Sequence, residues 1–124
     1  MKTVIYARSA TKGHQTEEQI HALNRYCHIY DWTVDKTFID DGCSGNSTDR
    51  PALQEMMSEI KAGKIERVLV CGIDRLSRSQ NDALELIDEI IDNGSVLISP
   101  RDDFDTSTAF GKLKLNILKG FCLK

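Results

Sequence analysis

One run constrains the fold more than any other: Val68-Leu69-Val70-Cys71-Gly72-Ile73, nearly all apolar and without polar alternation. A strand with one wet face alternates, whereas a continuous run suits a central parallel strand covered on both faces. Cys71, inside the run, reads as a buried thiol rather than half of a bridge. The run leads into Asp74-Arg75-Leu76-Ser77-Arg78 and then a helical pattern. An acid and two arginines are thereby set where a strand ends and a helix begins, the crevice in which open α/β sheets bind ligands. Two permanently charged planar forks suit a phosphate, whose oxygens they match in pairs. A solvated turn with a structural Asp–Arg pair fits the same residues.

The rest of the chain repeats the strand–helix alternation. Thr3-Val4-Ile5-Tyr6-Ala7 is a β-prone run and reads as the first strand. Thr16-Glu17-Glu18-Gln19 fits a capping box, and Ile20, Leu23, Cys27 and Tyr30 then fall on one helical face. From Trp32 to Ile39 the pattern alternates loosely, with Trp32, Val34 and Phe38 on one face of a strand near a sheet edge. Asp40 to Thr48 is a loop by composition, and a helix starts around Asp49-Arg50-Pro51. Leu53, Met56, Met57 and Ile60 are its apolar stripe, and Gly63 closes it. Ser79 caps a helix carrying Ala83, Leu86, Ile87, Ile90 and Ile91, ended by Asn93-Gly94.

Ser95 to Ile98 is another buried strand, Arg101 to Thr108 a polar, acidic loop, and Phe110, Leu113, Ile117, Leu118 and Phe121 one side of a last helix. The pattern predicts one domain over residues 1–124, a three-layer α/β/α sandwich with a mostly parallel central sheet. From Lys112 onward there are four lysines, no acid and apolar residues still to cover, so a longer protein is expected to continue past Lys124.

Charge narrows the function classes. A net charge of −3 counts against a free-standing nucleic-acid binder with a basic footprint, but leaves room for a local arginine pocket. The four cysteines are widely spaced, without a CxxC or Cys/His cluster, so no zinc is expected. Without a signal peptide or long apolar span, the expected location is the cytoplasm, with no membrane partner. His14, His21 and His28 show no partner spacing and read as surface residues.

Three polar groups lie at strand ends: Tyr6-Ala7-Arg8-Ser9, the Asp41…Arg50 loop, and Asp74-Arg75…Arg78. A parallel sheet gathers all three on its carboxyl side. Arg8, Arg50, Arg75 and Arg78, with a hydroxyl, could then surround one phosphate. Phosphoryl transfer rests mostly on positioning and on neutralising charge on the equatorial oxygens, which arginines can do without a metal.

These pieces, with Gln15, Gln19, Asp40-Asp41-Gly42-Cys43-Ser44-Gly45, Asp49-Arg50-Pro51 and Asp105-Thr106-Ser107-Thr108, resemble the catalytic domain of the serine site-specific recombinases. The likeness to the resolvase/invertase family, above all its large integrases and transposon recombinases, runs in order across essentially the whole chain. It implies a serine hydroxyl that attacks a DNA phosphodiester, leaving a 3′-hydroxyl and a 5′-phosphoserine, with no cofactor or metal. It also implies that Arg8, Arg75 and Arg78 bind the scissile phosphate beside Arg50. Asp74 would position the arginines or assist proton transfer, and Gln15, Gln19 and Asp41 would support the site. The partners it implies are double-stranded DNA, held weakly by this stretch alone, and further copies in a dimer or tetramer of the full-length protein. The long dimerisation helix and DNA-binding region would lie beyond this chain.

The sequence departs from the family at the nucleophile: two residues after Arg8 stands Ala10. Ser9 is adjacent, although successive strand side chains point to opposite faces; Thr11 is a poorer candidate. A shifted nucleophile, an engineered knock-out and a natural silent variant all fit. Besides a recombinase enzyme, two other classes therefore stand: a catalytically silent module that binds DNA or assembles with an active partner, and a small-molecule phosphate binder. The second lacks a glycine-rich loop after the first strand.

Overall fold

The computed structural model describes residues 2–9, 15–42 and 50–122. A five-stranded sheet runs in the order β2-β1-β3-β4-β5. Its strands are β1 (Lys2–Ser9), β2 (Val34–Asp41), β3 (Ile65–Val70), β4 (Val96–Ser99) and β5 (Phe104–Asp105). The first four are parallel, and β5 is antiparallel to β4. Four helices accompany them: α1 (Gln15–Ile29), α2 (Pro51–Lys61), α3 (Gln80–Asp92) and α4 (Ala109–Cys122).

Strand order decides which face each helix covers. From β1 the chain steps outward to β2, then turns back past β1 to β3 and on to β4. Parallel crossovers are right-handed, so reversing the direction of travel changes the face. Leu23 and Cys27 of α1 accordingly pack on Ile5, Leu69 and Ile98. The opposite core joins Val4, Tyr6, Val68, Val70 and Leu97 to Leu53, Met56 and Ile60 of α2, Ile87 and Ile90 of α3, and Leu115 of α4. The three layers are present, with one helix on one side and three on the other. The reversal leaves a crevice between the carboxyl ends of β1 and β3, where such sheets hold ligands.

Several sequence expectations are corrected here. Trp32, Val34 and Phe38 do not share a face. Register slips between Thr3 and Val4, whose partners are Val34 and Lys36, and a one-residue slip turns side chains over. Val34 and Trp32 thus join the α1 core, and Phe38 the other. Tyr30 is not buried under α1; it is 53% exposed and stacks on Trp32, ring centres 5.2 Å apart. Leu84 of α3 is buried, while Leu86 and Ile91 are only partly so. Cys71 lies just past the end of β3, half-buried. The acidic loop contains a 3-10 turn (Pro100–Asp102) and β5, anchored by Phe104 at 3% exposure. A short strand between acids carries too few residues for periodicity to register.

The largest correction is the rotation of α4. Gly111, Leu115 and Leu118 face the core, whereas Phe110, Leu113 and Ile117 are each more than half exposed. Gly111 accounts for it. A Cβ at this position would enter the Asp105 carbonyl group, 2.5 Å from its carbon, so only glycine lets the helix seat on β5. Apolar counting favours the other side because it weighs a glycine as nothing. Gly111→Ala should cost about 1–3 kcal/mol of stability, as overpacking does, measured by denaturant unfolding; a native-like midpoint would show that the Asp105 contact does not set the helix.

Candidate functional site

The site is built outward from a turn. After β3, residues Ile73–Arg75 form a 3-10 turn, in which Arg75 N–H donates to the Gly72 carbonyl at 3.0 Å. Leu76, next along, is fully buried and pins the turn to the core. The carbonyls of Asp74 and Arg75 are thereby presented to the end of β1. Arg8 lies there at 1% exposure, donating through Nη2 to the Asp74 carbonyl (2.9 Å) and through Nε to that of Arg75 (3.1 Å). Arg50, 5% exposed, approaches the same Arg75 carbonyl at 3.4 Å, and Arg75 Nη1 returns to the Arg8 carbonyl at 3.4 Å. Arg78 is exposed at the rim.

The crevice therefore gathers positive charge. Burial lowers the Arg8 pKa from its ordinary value, Arg50 lowers it further, and Arg75 and Arg78 add to the effect against an opposing pull from Tyr6. The guanidinium remains charged, since arginine does not deprotonate in proteins. Two further N–H groups, Nε of Arg50 and of Arg75, are buried without a hydrogen-bond partner among the described residues. Buried charged donors are ordinarily satisfied. Positive donors left over in this way suit an anion.

Neighbouring elements hold the arginines in place. Gln19 on α1 accepts from Arg8 N–H (3.2 Å) and donates to the Arg8 carbonyl (2.9 Å). Its side chain thus serves the end of β1 and not the start of its own helix, which corrects the capping-box reading. Arg50 stands at the N-cap of α2 without capping it. Asp40 on β2 performs that task from the neighbouring strand. It accepts from the Ala52 and Leu53 N–H groups at 2.9 Å each and from the Tyr6 hydroxyl at 2.8 Å. A carboxylate at a helix N-terminus also complements the helix dipole.

Of the sequence candidates, Arg8, Arg50 and Arg75 meet directly, and Arg78 stands close enough to act on Arg8. The Asp74 side chain is paired with Arg101, from the 3-10 turn after β4. Ser9 is fully buried. It shares its sheet face with Ile5 and α1, opposite Tyr6 and Arg8. Asp41 ends β2 beside Ser9 and is exposed, and Gln15 opens α1. Ala10, Thr11 and residues 43–49 lie outside the described residues. Sequence reasoning missed the work of Asp40, Tyr6 and Arg101. Asp40 sits at an even position with buried Phe38, a sign that it points inward; Arg101 follows a parallel strand and so falls on the same sheet edge.

Among the described residues no group of three or more His, Cys, Asp or Glu is arranged to hold a metal, and no helix is long and apolar enough to cross a membrane. The family described as Resolvase, N terminal domain, matches residues 3–122. The transposon Tn917 resolvase of Enterococcus faecalis is 34% identical over 114 residues, covering 91% of this chain and 56% of that protein. The DNA-invertase hin of Salmonella typhimurium is 29% identical over 118 residues, covering 95% of this chain and 57% of its own length. The chain thus spans a little over half the length of these two curated relatives. Among solved structures, the N-terminal catalytic domain of TP901-1 integrase superposes with a TM-score of 0.91 at 38% identity, over 98% of this chain and 93% of that one. A resolvase family site-specific recombinase from Streptococcus pneumoniae gives 0.85 at 29% identity, over 98% and 85%.

The Tyr6–Asp40 bond predicts an alkaline effect. Burial, then the bond to Asp40, raise the Tyr6 pKa well above its ordinary value. Folded Tyr6 therefore keeps a proton that the unfolded chain releases above about pH 10, so its stabilising contribution is present below that pH and lost above it. Tyr6→Phe should cost about 1 kcal/mol at neutral pH and flatten the fall in stability above about pH 10. Tyr26, pushed up to about 12 by burial and its bond with Tyr30, keeps its share of that fall. Denaturant unfolding across the alkaline range checks this; an unchanged slope in Tyr6→Phe would contradict it.

Proposed function

Because this chain belongs to the resolvase family, as a serine recombinase catalytic domain, we propose that its arginine cluster seats a DNA phosphodiester for strand cleavage and rejoining in site-specific recombination. The observation that carries the reading is the gathering of Arg8, Arg50 and Arg75 at the crevice between β1 and β3, with Nε of Arg50 and of Arg75 buried and unpartnered among the described residues. Positive groups fixed before the reaction stabilise the charge that develops on a pentacoordinate phosphorus without reorganising. Arg8, Arg50, Arg75 and Arg78 take that role, and Gln19 and Asp40 hold Arg8 and Arg50 in place.

In the reaction this arrangement serves, a serine oxygen forms a bond to phosphorus as the bond to the 3′-oxygen breaks. The serine proton leaves, the 3′-oxygen gains one, and a 5′-phosphoserine results; rejoining reverses the steps with no net hydrolysis. Double-stranded DNA is the substrate, and further copies of the full-length protein are the partners. A stretch neutralising only a few phosphates holds DNA weakly.

A second reading follows from the nucleophile position. Ala10 has no hydroxyl. Ser9 is buried on the sheet face opposite Arg8, which argues against it as a substitute. The chain as it stands is then a DNA-binding or assembly module with the pocket intact and the attacking group missing. Trapping protein–DNA adducts on a nicked duplex, with the full-length protein as given and as Ser9→Ala and Ala10→Ser, tests both. Adducts are expected from Ala10→Ser alone. Adducts from the unaltered protein that Ser9→Ala abolishes would place the nucleophile at Ser9, and none from any version would defeat the cleavage reading.

A further inference from the structure

Asp74 is followed in sequence by two arginines of the cluster, Arg75 and Arg78, yet its carboxylate pairs with Arg101. Glycine at position 72 makes room for this pair. A Cβ there would lie 2.6 Å from Asp74 Oδ1 and 2.7 Å from Arg101 Cζ. Gly72 has an extended backbone, φ −153°, which any residue adopts. What a side chain there would press on and shift is therefore the pair and not the backbone.

The turn that carries Arg101 is anchored from both sides. Asp102 accepts from Ile73 N–H at 2.8 Å and from the Ser99 hydroxyl at 2.7 Å. Lys114 on α4 donates to the carbonyls of Asp102 (3.2 Å) and Asp103 (2.8 Å). Arg101 and Asp74 are each about half exposed, 51% and 53%, so the pair adds little to stability. Its effect lies in where it leaves the carboxylate. Released, Asp74 has Arg75 next to it in sequence, and it shares with Arg78 the wall of a cleft of about 540 Å³ beside the cluster, which Asp102 and Lys114 also line. A carboxylate turned onto them would compete with an incoming anion.

We propose that Arg101 is a positioning residue that holds the Asp74 carboxylate out of the arginine cluster and so keeps the cluster open to phosphate. The inference rests on the reading of the cluster as a phosphate site. Titration with inorganic phosphate, followed by amide chemical shifts, tests it on the native protein, Arg101→Ala and Gly72→Ala, each with and without Asp74→Asn. Arg101→Ala and Gly72→Ala should each weaken phosphate binding about tenfold, and Asp74→Asn should recover most of that loss in either background. Gly72→Ala is the sharper arm, because it displaces the pair without altering any charge. Native-like binding by Gly72→Ala, or a loss that Asp74→Asn does not repair, would overturn the proposal. Native protein that takes up no phosphate would defeat the phosphate reading and this proposal together, whereas native binding without repair defeats this proposal alone.

Discussion

Guanidiniums crowded into one crevice repel one another, and burial strips away the water that would screen them. Here the repulsion is offset by two carbonyl oxygens, those of Asp74 and Arg75, which receive Arg8 and Arg50. They are available because β3 ends in a tight 3-10 turn. An α-helix beginning directly at the strand end would commit its carbonyls to its own hydrogen bonds. Leu76 fixes the turn by its burial, so the placement of the charges depends on a hydrophobic contact one residue away.

Around that turn each neighbouring element contributes one restraint. Gln19 from α1 clamps the backbone of Arg8, and Asp40 from β2 caps α2 and thereby sets Arg50. On the far side Arg101 takes the carboxylate of Asp74, and Lys114 ties the turn bearing Arg101 to α4. The position of α4 itself rests on Gly111 against Asp105. Apolar packing, helix rotation and the charge arrangement of the crevice are thus linked through short-range contacts.

Much of this is legible in the order and type of the residues. The run ending at Val70 marks a central strand, and the alternation of strands and helices implies a parallel sheet, which gathers strand ends on one edge. Arg8, Arg50 and Arg75 can be placed together on that ground alone. The faces are harder to read. The slip at Thr3–Val4 separates Trp32 and Val34 from Phe38, and Gly111 turns α4 away from its more apolar side. Neither a register shift nor a backbone contact leaves a mark in hydrophobic periodicity.

Residue type and spacing along the chain are enough to set the order of the elements, the strand-end location of the arginines and the absence of a hydroxyl at position 10. Which groups satisfy one another is settled by the fold: carbonyls for Arg8, a strand carboxylate for the start of α2, Arg101 for Asp74. Such pairings join residues up to 67 positions apart. Hydrogen bonds and ion pairs act over a few ångströms in space, so their partners are fixed only once the sheet order has brought those segments together.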